Sequence, residues 1–151
     1  MKKFMTIGLG TGSLSCGNFP AEFEEEGIVL DDSAMQILST QEFFESIYPE
    51  TRKVDIFMAT TANLTGCRYA STKTIFNAIH GSGFCLCPAE MGPQLRIQYP
   101  GEENILIAMD AIKEKIFSIC CPHLHQPTLS SVRGASMRTW KGDTKWAFMR
   151  H

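Results

Sequence analysis

Residues 86–99 read Leu86-Cys87-Pro88-Ala89-Glu90-Met91-Gly92-Pro93-Gln94-Leu95-Arg96-Ile97-Gln98-Tyr99, and the stretch from Asn104 to Ile112 that follows is largely apolar. After Pro93, the side chains of Leu95, Ile97 and Tyr99 alternate with Gln94, Arg96 and Gln98. That is the period-two pattern of a strand with one face in the core and the other in water. Pro100-Gly101 then turns the chain into Asn104–Ile112, Lys113-Glu114 makes a tight turn into Lys115–Cys121, and residues 122–127, with two prolines, form a loop. Gly142-Asp143 fits a two-residue type II′ hairpin turn that sets Trp140 opposite Lys145 and Thr139 opposite Trp146. The second half is therefore expected to be an antiparallel meander of about four to five strands.

Working back from that meander, the first half is mostly helical. Lys3 to Leu9 reads as a strand, ended by Gly8-Leu9-Gly10-Thr11-Gly12. Asn18 caps a helix with Pro20 in its first turn and Gly27 at its end, its apolar face supplied by Phe19 and Phe23. The run Glu24-Glu25-Glu26 sits at the negative end of that helix dipole, so the helix depends on tertiary packing. A second helix starts at Asp32 or Ser33 and buries Met35 and Leu38. A third has Ser39 and Glu42 at capping-box spacing, carries Phe43, Phe44 and Ile47, and stops before Pro49. Val54 to Thr60 is a compact apolar strand, expected to be central. Residues 61–70 are a polar connection, and Ser71 caps a helix with Ile75, Phe76 and Ile79 on one face. Helices segregated from strands predict a single α+β domain over residues 1–151, its N-terminal helices packed on a C-terminal antiparallel sheet.

A chain of 151 residues, 44% apolar and 20% charged, is long enough for one domain with a sizeable core. No run reaches the roughly 20 apolar residues that cross a bilayer. Met1-Lys2-Lys3 meets Gly8 and Gly10 too soon for the apolar core of a signal peptide, so a cytoplasmic location and no membrane partner are expected. In that setting the six cysteines are read as reduced and mostly buried. The net charge of −2 hides an asymmetry. Residues 18–60 carry ten acidic groups against Arg52 and Lys53, whereas residues 127–151 carry Arg133, Arg138, Lys141, Lys145 and Arg150 against Asp143. The two ends are expected to face each other within the fold, or simply to be solvated.

Five constellations could carry chemistry. Gly8-Leu9-Gly10-Thr11-Gly12, with Asp31 and Asp32 about twenty residues on, approaches a dinucleotide fingerprint. Its G-x-G-x-G spacing and the absence of a following strand–helix series favour a plain glycine turn. Cys85-x-Cys87 and His123-x-His125 could each present two donors to one side of a strand, and together a tetrahedral zinc site, although C-x-C lacks the usual knuckle spacing. Cys87, His80 and Glu90 could serve as thiolate, base and orienting acid. Arg133, Arg138, Trp140, Lys141, Lys145 and Trp146 make a basic, aromatic C-terminal hairpin of the kind that holds single-stranded nucleic acid; the alternative is that both tryptophans close the core. Finally, Glu90, Gln94, Arg96, Gln98 and Tyr99 could form a polar ligand-binding row, unless Glu90 pairs with Arg96 and pins a turn. With no convincing acid–base pair, nucleophile or phosphate loop, the expectation is a non-enzymatic binding module. It would need no cofactor and would take a protein or small ligand as partner, with nucleic acid or zinc as alternatives.

The segment Leu86–Tyr99 resembles the LCPAE-x-GP-x-LR-x-x-Y signature of a family of small prokaryotic proteins. The resemblance continues elsewhere: Met5–Thr11 is similar to the family's "TIKLGT", Asp31–Leu38 to "ISDWANDIL", Val54-Asp55-Ile56 to "VDLVVVSV", and Ile105–Ile112 to "LLIAMEPI". Beyond Lys115 it weakens to the aromatic strand Trp146-Ala147-Phe148. This chain lacks the tryptophan that usually precedes the family's "LLIAM" strand and has its own Cys/His loop. The resemblance implies a shared fold and brings no activity with it. If the family has a common site, it points to Glu90, Gln94, Arg96, Gln98 and Tyr99.

Overall fold

The structure, a computed structural model, describes residues 1–10 and 18–150. Its elements run β1 (Lys3–Leu9), α1 (Phe19–Glu26), β2 (Val29–Leu30), α2 (Asp32–Leu38), α3 (Gln41–Ser46), β3 (Arg52–Thr60), α4 (Thr61–Thr65) and β4 (Tyr69–Ser71), then α5 (Thr72–Gly81), β5 (Phe84–Cys85), α6 (Met91–Gln98), β6 (Ile105–Ile107), β7 (Lys115–Cys120), β8 (Thr128–Arg133), β9 (Thr139–Lys141) and β10 (Lys145–Arg150). Several local signals act as read. Asn18 caps α1 through a 3.4 Å bond from the Ala21 amide, and Gly27 closes it at φ 70°. Ser71 caps α5, and Ile75 and Ile79 are buried on its inner face. Thr40, rather than Ser39, caps α3.

The expected C-terminal meander is not what forms. Among the described residues, eight strands make one mixed sheet in the order β1-β3-β10-β6-β7-β8-β2, with β5 pairing the outer end of β10, and β4 and β9 pair separately. Both halves of the chain supply strands, and β10–β6 and β2–β8 are parallel pairs. The class is still α+β. The last hairpin is absent: β9 pairs with β4, while β10 runs into the middle of the sheet between β3 and β6. The reason lies in the turn. Gly142 and Thr144 carbonyls accept bonds from the first amides of α4, at Ala62 and Thr61. Ser136 and Arg138 carbonyls do the same for α5, at Lys73 and Thr72. The turn itself closes, the Thr144 amide bonding the Lys141 carbonyl at 3.1 Å, but the Thr144 carbonyl, which a β9–β10 ladder would pair with the Lys141 amide, is taken by the Thr61 amide.

Gln94–Gln98 also departs from expectation: it lies in helix α6, with Tyr99 as the C-cap, rather than in a strand. Met91, Gly92, Pro93, Gln94, Leu95 and Arg96 are all buried, so the helix shows no wet face and its amphipathic period is hidden. Pro93 lies in the first helical turn, where its missing amide costs nothing. Gly92 lets α6 press onto β7: a Cβ at that position would come 2.3 Å from the Phe117 ring.

Register assigns the two faces of the sheet. Ile7, Leu9, Ile105, Ile107, Phe117, Ile119 and Leu129 point to one face, covered by α6, α1, α2 and α3; Phe43 of α3 meets Phe117 at 6.1 Å. Phe57, Trp146 and Phe148 point to the other face, under α4, α5 and the β4–β9 pair. Leu106, Ser118 and Cys120 continue that second face beyond the reach of those elements. Among the described residues no helix is long and apolar enough to cross a membrane.

In an ordinary helix, Gly→Ala stabilises by up to about 1 kcal/mol. Gly92→Ala should do the reverse, lowering stability by about 1–3 kcal/mol through overpacking against Phe117, as read from the urea unfolding midpoint.

Candidate functional site

The uncovered part of the second sheet face is a cleft of about 670 Å³, against 220 to 330 Å³ for other hollows of the described surface. Its floor is Leu106 of β6 with Ser118 and Cys120 of β7, and Leu106 and Ser118 are direct cross-strand partners. Trp140 of β9 forms one wall, continued by Asp143, Thr144 and Lys145; Asn104, Cys121 and Pro122 close the far side. A volume in this range suits a small organic ligand or a short side-chain cluster of a partner.

Each wall is held from behind. The Trp140 indole N–H donates to Thr72 Oγ1 at 2.7 Å, its ring meets Trp146 edge-on at 5.2 Å, and the Arg138 guanidinium sits 4.1 Å from its centroid. Lys145 Nζ donates to Glu103 Oε2 at 2.7 Å, and the Tyr99 hydroxyl donates to Glu103 Oε1 at 3.2 Å. The Lys145 hydrogen bond, against a smaller desolvation effect, holds the Glu103 carboxyl below its ordinary range. Under the far wall, Arg96 donates to the carbonyls of Cys120, Tyr99 and Gly101 at 3.2, 2.8 and 2.9 Å. Burial pulls its guanidinium below its usual value, partly offset by the neighbouring Cys121 and Cys120.

The residues singled out from sequence are dispersed. Glu90 is fully buried, accepting from the backbone amides of Gly10 at 2.5 Å and Tyr48 at 3.1 Å and from Gln94 Nε2 at 3.3 Å. Gln98 both accepts from the Gly8 amide and donates to the Gly8 carbonyl, and donates to Gln94. Glu90, Gln94 and Gln98 thus follow the helical spacing i, i+4, i+8 and bind α6 to edge strand β1. Gly10, at φ 93°, tolerates no side chain there, because a Cβ would lie 2.0 Å from the Glu50 carbonyl oxygen. Arg96 lies on another side of the helix, so neither a Gln94/Arg96/Gln98 strand row nor a Glu90–Arg96 pair forms. Of the nucleotide-like glycine motif, residues 11 and 12 lie outside the described residues.

Cys85 and Cys87 are buried, Cys87 Sγ lying 3.6 Å from the Ala147 carbonyl, while His123 and His125 are exposed on the β7–β8 loop, where His125 contacts Glu102. No three described His, Cys, Asp or Glu side chains gather as a metal set. His80 stands exposed at the end of α5, away from the core position of Cys87. Trp146 is fully buried with its N–H on Thr61 Oγ1, and Trp140 is 8% exposed. Arg133 pairs with Glu114, while Lys141 is exposed. The cleft itself escaped sequence reading. Its floor comes from β6 and β7 and its wall from β9, and only the unformed hairpin would have warned that β9 is free to go elsewhere.

Burial raises the thiols of Cys85 and Cys87 above their ordinary value of 9.0, so both stay protonated and unreactive at neutral pH. With folded values above unfolded ones, they contribute stability below that value and lose it as pH rises through the folded ones. The urea midpoint should therefore fall between about pH 8 and about pH 10, and fall less steeply in Cys87→Ala. Thiol labelling of the native protein near neutral pH should modify Cys67 first, then Cys120 and Cys121, and reach Cys85 and Cys87 only on unfolding. Comparison of the chain with protein-family models, with curated proteins and with solved structures finds no match.

Proposed function

We propose that this chain is a cytoplasmic, non-enzymatic binding module whose cleft over β6 and β7 takes a small, partly apolar ligand. The observation that carries this reading is the lining itself. Leu106 and the Trp140 edge offer apolar contact, Ser118, Asn104 and Thr144 offer hydrogen bonds, and Lys145 stands at the rim already oriented by Glu103. Few polar groups placed around an apolar floor are what small-molecule sites use to fix orientation. The lining holds two thiols, a carboxylate and an ammonium but no imidazole, and burial raises the Cys120 thiol, which favours binding over nucleophilic chemistry.

On this reading the LCPAE-like segment serves the architecture. Its Glu90, Gln94 and Gln98 hold β1, and its Arg96 braces the cleft wall from behind. The single-strand nucleic-acid reading is less well supported, since stacking needs open ring faces. Here Trp146 is enclosed and Arg138 covers a face of Trp140.

A fragment library screened by amide and indole NMR shifts tests the site. Shifts should cluster on Leu106, Ser118, Cys120, Lys145 and the Trp140 indole N–H, and Ser118→Phe, which fills the cleft, should abolish them while the rest of the spectrum persists. Thr144→Trp, at the rim, gives the same readout without touching the floor. Fragment shifts that centre elsewhere, or that survive both substitutions, would refute the proposal.

A further inference from the structure

On the opposite face, α1, α2 and α3 enclose an apolar groove of about 220 Å³ lined by Phe19, Pro20, Met35, Leu38, Phe43 and Phe44. Phe19 and Phe43 are buried and meet at 5.9 Å, but Phe44 is 49% exposed and Met35 38% exposed, so two large apolar side chains flank an open hollow. The segment that builds the groove carries charge of one sign. Residues 18–51 contain nine acidic groups and no lysine or arginine. Among the described residues none of the nine is in an ion pair; the basic C-terminal region is engaged elsewhere, Arg133 with Glu114, Lys145 with Glu103 and Arg138 with Trp140. The two ends of the chain therefore do not neutralise each other.

The acids sit where a partner on the groove would meet them. Asp32 lies one helical turn before Met35 and Glu22 one turn after Phe19, on the same helix faces; on α3, Glu45 follows Phe44, while Glu42 lines a neighbouring hollow beside Ser46 and Asp110. Glu24, Glu25 and Glu26 occupy the last turn of α1, where carboxylates oppose the helix dipole, and no basic residue relieves them there. From this combination we infer that the groove is a docking surface for a basic amphipathic helical segment of another protein. Its apolar anchors would enter between Phe44 and Met35, and its lysines and arginines would meet the acidic rim. A two-fold pairing of this surface with itself would set acid against acid, which disfavours a second copy as the occupant.

The test uses a fluorescent synthetic helix with leucines at i, i+4 and i+7 and lysines elsewhere, together with its twin carrying glutamate for lysine. Anisotropy should show binding of the lysine peptide only, with Kd rising about tenfold between low and physiological salt, as screening of exposed charges requires. Amide shifts should map to Phe19, Met35 and Phe44. Phe44→Ser should weaken binding about tenfold, and the milder pair Glu22→Gln with Asp32→Asn should flatten the salt dependence with the fold intact. Equal binding of the glutamate twin, shifts centred elsewhere, or indifference to Phe44→Ser would overturn the inference. So would self-association in sedimentation that Phe44→Ser abolishes, since the occupant would then be a second copy.

Discussion

The last strand, β10, is bonded along both edges, to β3 on one side and β6 on the other, with β5 joining at its outer end. The N-terminal ladder β1–β3 and the later ladder β6–β7–β8–β2 share no other strand, so the sheet is continuous only because these six residues lie between them. Their burial matches that position: Trp146, Ala147, Phe148 and Met149 are all in the core, where each large side chain is worth about 1.5–3 kcal/mol. A strand inserted last in sequence but central in space makes the fold rich in non-local pairings, a topology that folds slowly.

The second constraint is α6, a helix carrying charged and amide side chains through a dry interior. Isolated buried charges are costly unless every polar atom finds a partner. Here Glu90 is met by two backbone amides and Gln94, and Arg96 by three carbonyls. The carboxylate is held by backbone amides and Gln94 and the guanidinium by backbone carbonyls, rather than by each other, and among the described residues Arg96 Nε alone of these atoms lies buried without a partner. Each therefore fixes a particular loop, Glu90 holding the chain at Gly10 and Tyr48, Arg96 holding the turn after α6 against the end of β7.

These two constraints shape the surfaces available for function. Because the segment before β9 is tied to the amino end of α5 and the turn after it to the amino end of α4, Trp140 is carried to the border of the covered sheet face, and the part of that face over β6 and β7 stays open. The acidic helices α1 to α3 pack on the other side, so the cleft and the acidic groove are separate surfaces with different chemistry. One offers a few oriented polar groups around an apolar floor, the other apolar anchors on a segment that carries nine acids and no lysine or arginine.

Local chemistry was legible in the residues themselves. Caps at Asn18 and Ser71, the Lys113-Glu114 turn with φ of 52° and 64°, the strand Lys3–Leu9 and the charge asymmetry all depend on neighbours a few positions away. The segment Gln94–Gln98 reads as a strand because a helix buried on all sides loses its period, and alternation then mimics a strand. The informative spacing, Glu90 to Gln94 to Gln98, is visible only to a reader who allows polar residues to face inward. Pairing across the sheet is another matter. Whether β10 folds back on β9 or slides between β3 and β6 depends on which distant strands have open edges and which helix amides need acceptors. Tertiary structure alone decided that, and with it the cleft, because the partners that hold β10, residues 56–60 of β3 and 105–107 of β6, lie far from it in sequence and bury Trp146 and Phe148 between them.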